Sequence, residues 1–361
     1  MKILWLTNIP SPYRVKFFNE LGKKCDLTVL FEKRGSSERD KSWEKIDDTN
    51  FQAVFLKGKS VGVAEAFCPS VIKYLKKQYD HIVVTNYSDP TGILAVIWMR
   101  LFQLRYEIEG DGAFPGMRSG LKAKLKQYIF HGASVCFSSA QMHDSYYELY
   151  GVPQKKIVRY PFTSISETDI LKNAMNYSTK MKIRENLKIK EEKVVLAVGQ
   201  FIRRKGYDTL LQAMKGLPKT IGVYIIGGKV TQEYLDIVEK ENMKNIHFID
   251  FMEPNKLKEY FEVADLFVHP TREDIWGLVI NEAMANGLPV VTTDKCIAGL
   301  EMVQNGINGE IVEAGNVSVL RDAISTWING DMPNKKSLEI ARKYTIENMA
   351  KCHLNFWINN R

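Results

Sequence analysis

Residues 269–293 constrain this chain more than any other stretch. They read His-Pro-Thr-Arg-Glu-Asp-Ile-Trp-Gly-Leu-Val-Ile-Asn-Glu-Ala-Met-Ala-Asn-Gly-Leu-Pro-Val-Val-Thr-Thr. An apolar strand runs through Phe267 and Val268, and Pro270 ends it. Gly277 lets the chain turn tightly, and residues 277–286 then have helical spacing. That spacing puts Val279, Ala283 and Asn286 on one face and Leu278, Glu282 and Ala285 near another. Gly287 supplies the helix C-cap, and Pro289 to Val291 begin a second strand. The unit is therefore strand, acidic loop, helix and strand, which fits an open α/β sheet that binds its ligand beyond the carboxyl ends of its strands.

Two carboxylates stand out in this unit. Asp274 lies on the loop, and Glu282 lies about one and a half turns into the helix. Between them the amides of Gly277, Leu278 and Val279 are free to receive phosphate oxygens. A ligand with phosphate in its middle and hydroxyl-rich groups at both ends has the matching shape, as a nucleotide-sugar does. A single acid near a helix start would be no more than a cap. Both acids, the glycine, the apolar helix and the Gly-Leu-Pro-Val-Val stop together form a more specific pattern.

The rest of the chain repeats the strand–helix alternation. Apolar runs at 2–7, 27–31, 53–56, 81–85, 104–109, 133–137 and 156–160 make one parallel sheet. Runs at 193–198, 223–226, 246–251, 266–269, 289–291 and 311–312 make a second. A polar, lysine-rich, helix-like segment (169–189) bridges them, and 337–357 is read as one amphipathic helix through Ile340, Tyr344, Met349 and Leu354. The expected domains are 1–165 and 166–336, with 337–361 as a closing helix. No Gly-x-Gly-x-x-Gly follows the first strand, which removes the main support for a dinucleotide site there. The loop from Gly199 to Gly206, with Arg203, Arg204 and Lys205 before the helix 207–214, reads as a phosphate cradle.

Charge is unevenly spread. Residues 1–165 hold 24 Lys and Arg against 16 Asp and Glu, whereas residues 166–361 hold 26 of each, so the whole excess of +8 belongs to the first half. Neither a helix-turn-helix nor a zinc-finger or RNP-like pattern accompanies it, so nucleic acid is not the expected partner. An anionic membrane surface and a phosphate-bearing acceptor fit equally well. The basic helix from Arg118 to Phe130 carries Lys122, Lys124 and Lys126. Those lysines read either as a solvated face or as a contact for acidic lipid headgroups. The Glu109-x-Asp111 pair beside Gly110 and Gly112 reads as a simple turn rather than a metal site, with Asp111 a candidate for a substrate hydroxyl. Five scattered cysteines point to a reducing compartment and away from structural zinc. The first ten residues are too short in apolar length for a secretion signal, and 92–99 is too short for a membrane span. The expectation is a cytosolic protein, at most resting on the inner face of the plasma membrane.

The acid pair within Glu-Asp-Ile-Trp-Gly-Leu-Val-Ile-Asn-Glu-Ala-Met-Ala-Asn-Gly-Leu-Pro-Val-Val resembles the signature of family 4 retaining glycosyltransferases. The 199–206 loop, the Asn8 to Arg14 loop, residues 297–301 and the glycines after Asn305 are similar to that family in kind and order. The resemblance covers the full chain and is most specific over 195–315. It implies the GT-B fold: α/β, with two Rossmann-like doubly wound parallel-sheet domains facing a cleft and a last helix crossing back. It implies that Glu282 binds the donor ribose, that Asp274 holds hydroxyls of the transferred sugar and that Lys205 neutralises the diphosphate. Gly199, Gln200, Arg204, Ile275, Trp276, Gly277, Leu278 and Val279 would complete the donor site. Ser11, Arg14 and Asp111 are the candidates on the acceptor or sugar side. Gln200 stands where many relatives carry an arginine, and Arg203 or Arg204 could replace it. Many relatives also have a histidine near the sugar, but His131 and His143 read as ordinary helix or core residues. The implied activity is metal-independent, cofactor-free transfer of a hexose from a nucleotide-sugar, UDP-linked by preference, to a glycan or lipid-linked glycan in bacterial surface polysaccharide synthesis. A nucleotide-sugar epimerase and a non-catalytic nucleotide-sugar-binding subunit are the competing expectations.

Overall fold

The computed structural model describes residues 1–35, 49–116, 119–173, 175–330 and 332–360. It divides into two compact units: Met1–Ser164 with Thr345–Arg361, and Ile165–Tyr344. The second unit is thus a continuous segment, and the first is completed by the end of the chain.

The first unit is built on β1 (Lys2–Thr7), β2 (Asp26–Phe31) and β3 (Gln52–Phe55), followed by a small hairpin of β4 (Lys59–Ser60) and β5 (Ala66–Phe67). The sheet continues with β6 (His81–Val84), β7 (Glu107–Glu109), β8 (Cys136–Ser138) and β9 (Ile157–Arg159). Its order is β3-β2-β1-β6-β7-β8-β9, parallel throughout. Strands buried on both faces need unbroken apolar sequence. Ile3, Leu4, Trp5 and Leu6 supply it, each at most 1% exposed. The run at 92–99, too short for a membrane span, is the middle of a helix, Pro90–Leu101, whose Ala95, Val96 and Met99 are fully buried. Among the described residues no helix is long and apolar enough to cross a membrane.

The second unit holds β10 (Lys193–Val198), β11 (Ile221–Ile226), β12 (Ile246–Ile249), β13 (Leu266–His269), β14 (Val290–Thr293) and β15 (Gly309–Val312). The order is β12-β11-β10-β13-β14-β15, again all parallel. The expected α/β class with two parallel sheets is therefore what the chain adopts.

Two helix readings need correction. Among the described residues of the bridging segment 169–189 the α-helix is confined to Tyr177–Asn186, where the Asn176 side chain accepts the Thr179 amide and fixes the start. The stretch 337–357 is two helices, Lys335–Ala341 and Ile346–Asn359. The Thr345 side chain accepts the Asn348 amide at 3.2 Å, so a cap interrupts the hydrophobic period. The first helix stays in the second unit and the other joins the first unit. The basic helix is observed as Leu121–Gly132, and the Arg118 end of that reading lies outside the described residues.

Candidate functional site

In the second sheet β10 and β13 are neighbours, while their successors lie on opposite sides. Such a reversal opens a crevice beyond the carboxyl ends of the two strands. The loop leaving β10 contains a single turn, Arg203–Lys205, and then Gly206 in the left-handed region (φ 70°). A Cβ on Gly206 would stand 2.0 Å from the Pro270 carbonyl oxygen, so any side chain there would push the loops after β10 and β13 apart. Several bonds hold them together instead. The Arg272 amide donates to the Arg204 carbonyl at 2.7 Å, and the Thr271 hydroxyl reaches the same carbonyl at 3.0 Å. The Arg272 guanidinium spans both oxygens of Asp208 at 2.8 and 2.7 Å and also donates to the Arg203 carbonyl. Bidentate pairs of this kind fix orientation as well as charge. Arg272 and Asp208 are missed by reading motifs, because their partners are far apart in sequence.

This bracing brings Lys205 to Asp274. The lysine Nζ lies 2.5 Å from Asp274 Oδ2, and Arg204 Nη1 lies 3.6 Å from Oδ1. His269 Nε2 lies 3.0 Å from the same Oδ2. A carboxylate only accepts, so Nε2 carries the proton and Nδ1 is left buried with no partner among the described residues. Burial alone would raise the Asp274 carboxyl. The His269 hydrogen bond and the Lys205 charge outweigh it and hold the group well below the usual carboxylate range. Burial keeps the His269 imidazole below its ordinary value, so it is neutral near pH 7. The Asp274 backbone is also pinned, its amide donating to the Lys295 carbonyl at 2.8 Å and its own carbonyl accepting from Ile297.

Beyond Asp274, Gly277 takes φ 101° and the helix Leu278–Ala285 follows. A Cβ on Gly277 would meet Cys296 Sγ at 2.7 Å, so both space and conformation demand glycine. The first amides of the helix, those of Leu278 and Val279, have no acceptor within the helix itself. Ile280, Asn281, Ala283, Met284 and Ala285 are buried, whereas Leu278, Val279 and Glu282 are half-exposed. The half-exposed side thus carries Val279 with Glu282, three residues apart, which corrects the face expected from spacing. The Trp276 side chain points away from solvent at 2% exposure, and its indole donates to Asn281 Oδ1 at 2.8 Å. Of that residue only the main chain borders the loop surface. Ile275 is about half exposed, and Gly199 and Gln200 line the loop after β10, Gln200 being exposed.

The candidates in the first unit are arranged differently from the expectation. Arg14, 3% exposed, forms ion pairs with both Glu109 and Asp111. Glu109 is fully buried and also faces Tyr160 Oη at 3.0 Å and His353 Nε2 at 3.2 Å, while Tyr13 Oη donates to Asp111 at 3.0 Å. Glu109-x-Asp111 is therefore the acidic side of a buried ionic network rather than a simple turn, and Arg14 is committed to it. Ser11, 5% exposed, precedes the helix Pro12–Gly22. Among the described residues no group of three His, Cys, Asp or Glu is placed to hold a metal ion. Lys122 and Lys124 are exposed, but Lys126 turns inward to Tyr146 Oη at 2.5 Å, so the three lysines do not form one face. His131 is exposed and His143 is buried in the core, as read from the sequence.

The description "Glycosyl transferases group 1" matches residues 179–348. Those residues are similar to that family and make up just under half of the chain. The group 1 domain accordingly takes in nearly all of the second unit. Over 119 residues the chain is 33% identical to the lipopolysaccharide glucosyltransferase WaaG of Escherichia coli K12, covering 31% of each chain. It is 22% identical over 258 residues to the alpha-galactosylglucosyldiacylglycerol synthase of Streptococcus pneumoniae, covering 66% of this chain and 65% of that one. The chain thus spans less than two thirds of the length of either curated relative. The crystal structure of Anabaena HepE in complex with UDP superimposes with a TM-score of 0.80 over 100% of both chains at 17% identity. That of WaaG gives 0.63 over 98% of this chain and 99% of its own at 16% identity. The fold is GT-B: two Rossmann-like parallel-sheet units in one chain.

Proposed function

We propose that this chain is a retaining glycosyltransferase. It moves a hexose from a nucleotide-sugar, by preference UDP-linked, to a hydroxyl of a glycan or lipid-linked glycan in bacterial surface polysaccharide synthesis. The observation that carries the reading is the Lys205–Asp274 pair at the switch point of the group 1 domain, beside the start of the helix Leu278–Ala285. The names of its relatives agree with it: WaaG is a lipopolysaccharide glucosyltransferase, and the HepE structure contains UDP.

In this reading the diphosphate of the donor takes the place of the Asp274 carboxylate as the partner of Lys205. The leaving group gains negative charge as its bond to the anomeric carbon breaks. A fixed ammonium, Arg204 and the amides of Leu278 and Val279 stabilise that charge without need of a metal ion. Asp274, released from Lys205, turns its oxygens to sugar hydroxyls, and Glu282 accepts from the ribose. The acceptor oxygen bonds to the anomeric carbon on the face that the phosphate leaves, and its proton passes to the departing phosphate oxygen. Neither Asp274 nor Glu282 is asked to move a proton. They position the donor.

Lys205→Ala removes the charge that faces the leaving group. Its UDP release from UDP-sugars with a membrane extract as acceptor source should fall by about 100-fold or more, the scale of losing one preorganised donor. Near-normal turnover of the purified, folded variant would overturn the assignment. Tight UDP binding with no turnover under any acceptor would identify a binding subunit instead.

A further inference from the structure

His269 is the last residue of β13, and the strand fixes it before any ligand arrives. Thr292 on β14 lies in register with it and donates its hydroxyl to the His269 carbonyl at 3.1 Å. The His269 ring, 1% exposed, runs nearly parallel to that of Phe267 two residues earlier, at 14° and 6.4 Å. From this base Nε2 donates to Asp274 Oδ2 at 3.0 Å. Lys205 Nζ meets the same oxygen at 2.5 Å. Among the described residues Oδ1 has only Arg204 Nη1, at 3.6 Å and beyond hydrogen-bond reach. The Asp274 main chain is held on both sides, by the Lys295 carbonyl and the Ile297 amide. With the backbone and one oxygen fixed, the bond from Nε2 decides where Oδ1 points. The ring costs stability to keep. Its Nδ1 is buried with no partner among the described residues, and an apolar side chain of similar volume would avoid that cost. A buried, half-satisfied imidazole calls for a reason beyond packing.

We propose that His269 is a positioning residue of the donor site, holding Asp274 by Oδ2 so that the carboxylate is already aimed when the transferred sugar arrives. The inference rests on the donor reading above and adds to it the group that keeps Asp274 in place. Lys205 cannot serve both partners. Once a diphosphate draws its ammonium away, Asp274 loses its shortest contact, and with no second one its carboxylate would turn about two side-chain bonds. His269 has no competing task, because Nε2 faces Asp274 and Nδ1 is closed off from solvent. Nor does it use up the carboxylate. Each oxygen accepts through about two lone pairs, so the side of Oδ2 that Lys205 vacates and the whole of Oδ1 remain for sugar hydroxyls. Supporting groups work when their own rotamers are locked by packing, and His269 is locked by a strand end, a ring neighbour and burial.

A double-mutant cycle on the full chain tests this. Turnover is read as UDP release from UDP-glucose or UDP-galactose, whichever wild type uses faster, with a membrane extract as acceptor source. The Kd for UDP alone is measured beside it. His269→Leu should lower kcat/KM by about tenfold or more, the scale of losing a hydrogen bond to a charged group. Its Kd for UDP should stay within about twofold of wild type, because UDP carries no transferred sugar for Asp274 to hold. In His269→Gln the side-chain amide donates from nearly the position of Nε2 and should restore most of the loss. Asp274→Ala with His269→Leu should be no slower than Asp274→Ala alone, since a residue that acts only through Asp274 then has nothing to position. Melting of each variant shows that it folds. If His269→Leu does not, His269→Asn takes its place, its amide being too short to reach Oδ2. Independent losses in the double variant, a fall in UDP affinity that matches the fall in turnover, or a glutamine no better than leucine would each overturn the inference while leaving the donor reading intact. Wild type that binds no UDP and turns over neither donor would remove the donor reading, and this inference with it.

Discussion

Asp274 and Lys205 are sixty-nine positions apart, yet each is visible in the sequence because it lies in a loop flanked by glycines that only a close approach explains. His269 gave no such signal, since a histidine at a strand end is ordinary until its Nε2 is seen 3.0 Å from a buried carboxylate. Glu32 is a second buried acid that spacing does not mark. It follows β2, is 3% exposed, and accepts the Ala66 amide at 2.7 Å and the Asn86 side-chain amide. Burial pushes its carboxyl up to about 7, against the lowering effect of the Ala66 amide. A folded value above the ordinary one means the unfolded chain releases that proton first as pH rises. The stabilising contribution is then complete below about pH 4.5 and is lost as pH rises through about 7. Asn86 Oδ1 is buried with no partner among the described residues. In Glu32→Gln the amide oxygen keeps the Ala66 bond, and its NH2 can donate to Asn86 Oδ1 once that amide turns over. The variant should melt above wild type near pH 8, with the gap closing towards about pH 5. A gap independent of pH would show that Glu32 is not the titrating group.

The helix Ile346–Asn359 shows where element-level reading fails. Its apolar period had been centred on Met349 and Leu354, but the buried face is Ile346, Met349, Ala350, His353 and Trp357. Two of these carry polar tips, and the carboxylates that satisfy them lie on β7, about 250 residues earlier in the chain. Glu107 and Glu109 point to the same side of that strand, as residues two apart must. Trp357 Nε1 donates to Glu107 Oε2 at 2.7 Å, and His81 lies against the other oxygen at 2.7 Å while stacking on the indole at 5.2 Å. His353 packs on Phe137 at 4.3 Å and faces Glu109. Charged residues in a strand thus serve as anchors for a helix from the far end of the sequence. Trp357→Phe keeps most of the ring but deprives a buried carboxylate oxygen of its donor, which costs about 1–3 kcal/mol. Trp357→Ala should cost about 3–5 kcal/mol by adding a cavity. Urea unfolding of both variants checks this, and an undiminished stability in Trp357→Phe would mean the indole N–H contributes nothing.

At the scale of the molecule, the parallel sheets were legible because doubly buried strands leave unbroken apolar runs. The point where the chain returns to the first unit was not, since a helix gives the same pattern whichever sheet it covers. The boundary follows from contacts: residues 165–344 form one unit, and the first unit needs 345–361. The second unit has its own core around Val195, Ile225, Leu210 and Val268, each fully buried. The face of the first unit that receives the last helix is aromatic, with Trp5 packing on Phe17 and Phe18 and, through 6.4 Å, on Trp357. Without that helix the Trp5 side of the sheet would meet water over rings that are now fully buried. A fragment of residues 165–344 should therefore fold cooperatively on its own. One of residues 1–164 should not, until 345–361 is joined to it by a flexible linker. If the donor reading is right, UDP at about a hundred times its Kd should stabilise the 165–344 fragment by about 2.7 kcal/mol, a rise in Tm on the order of 5–10 °C. Lys205→Ala in the same fragment should lose most of that rise while keeping its ligand-free melting transition. Cooperative melting with no response to UDP would separate the two ideas, leaving the domain boundary standing and removing UDP as the ligand of the group 1 domain.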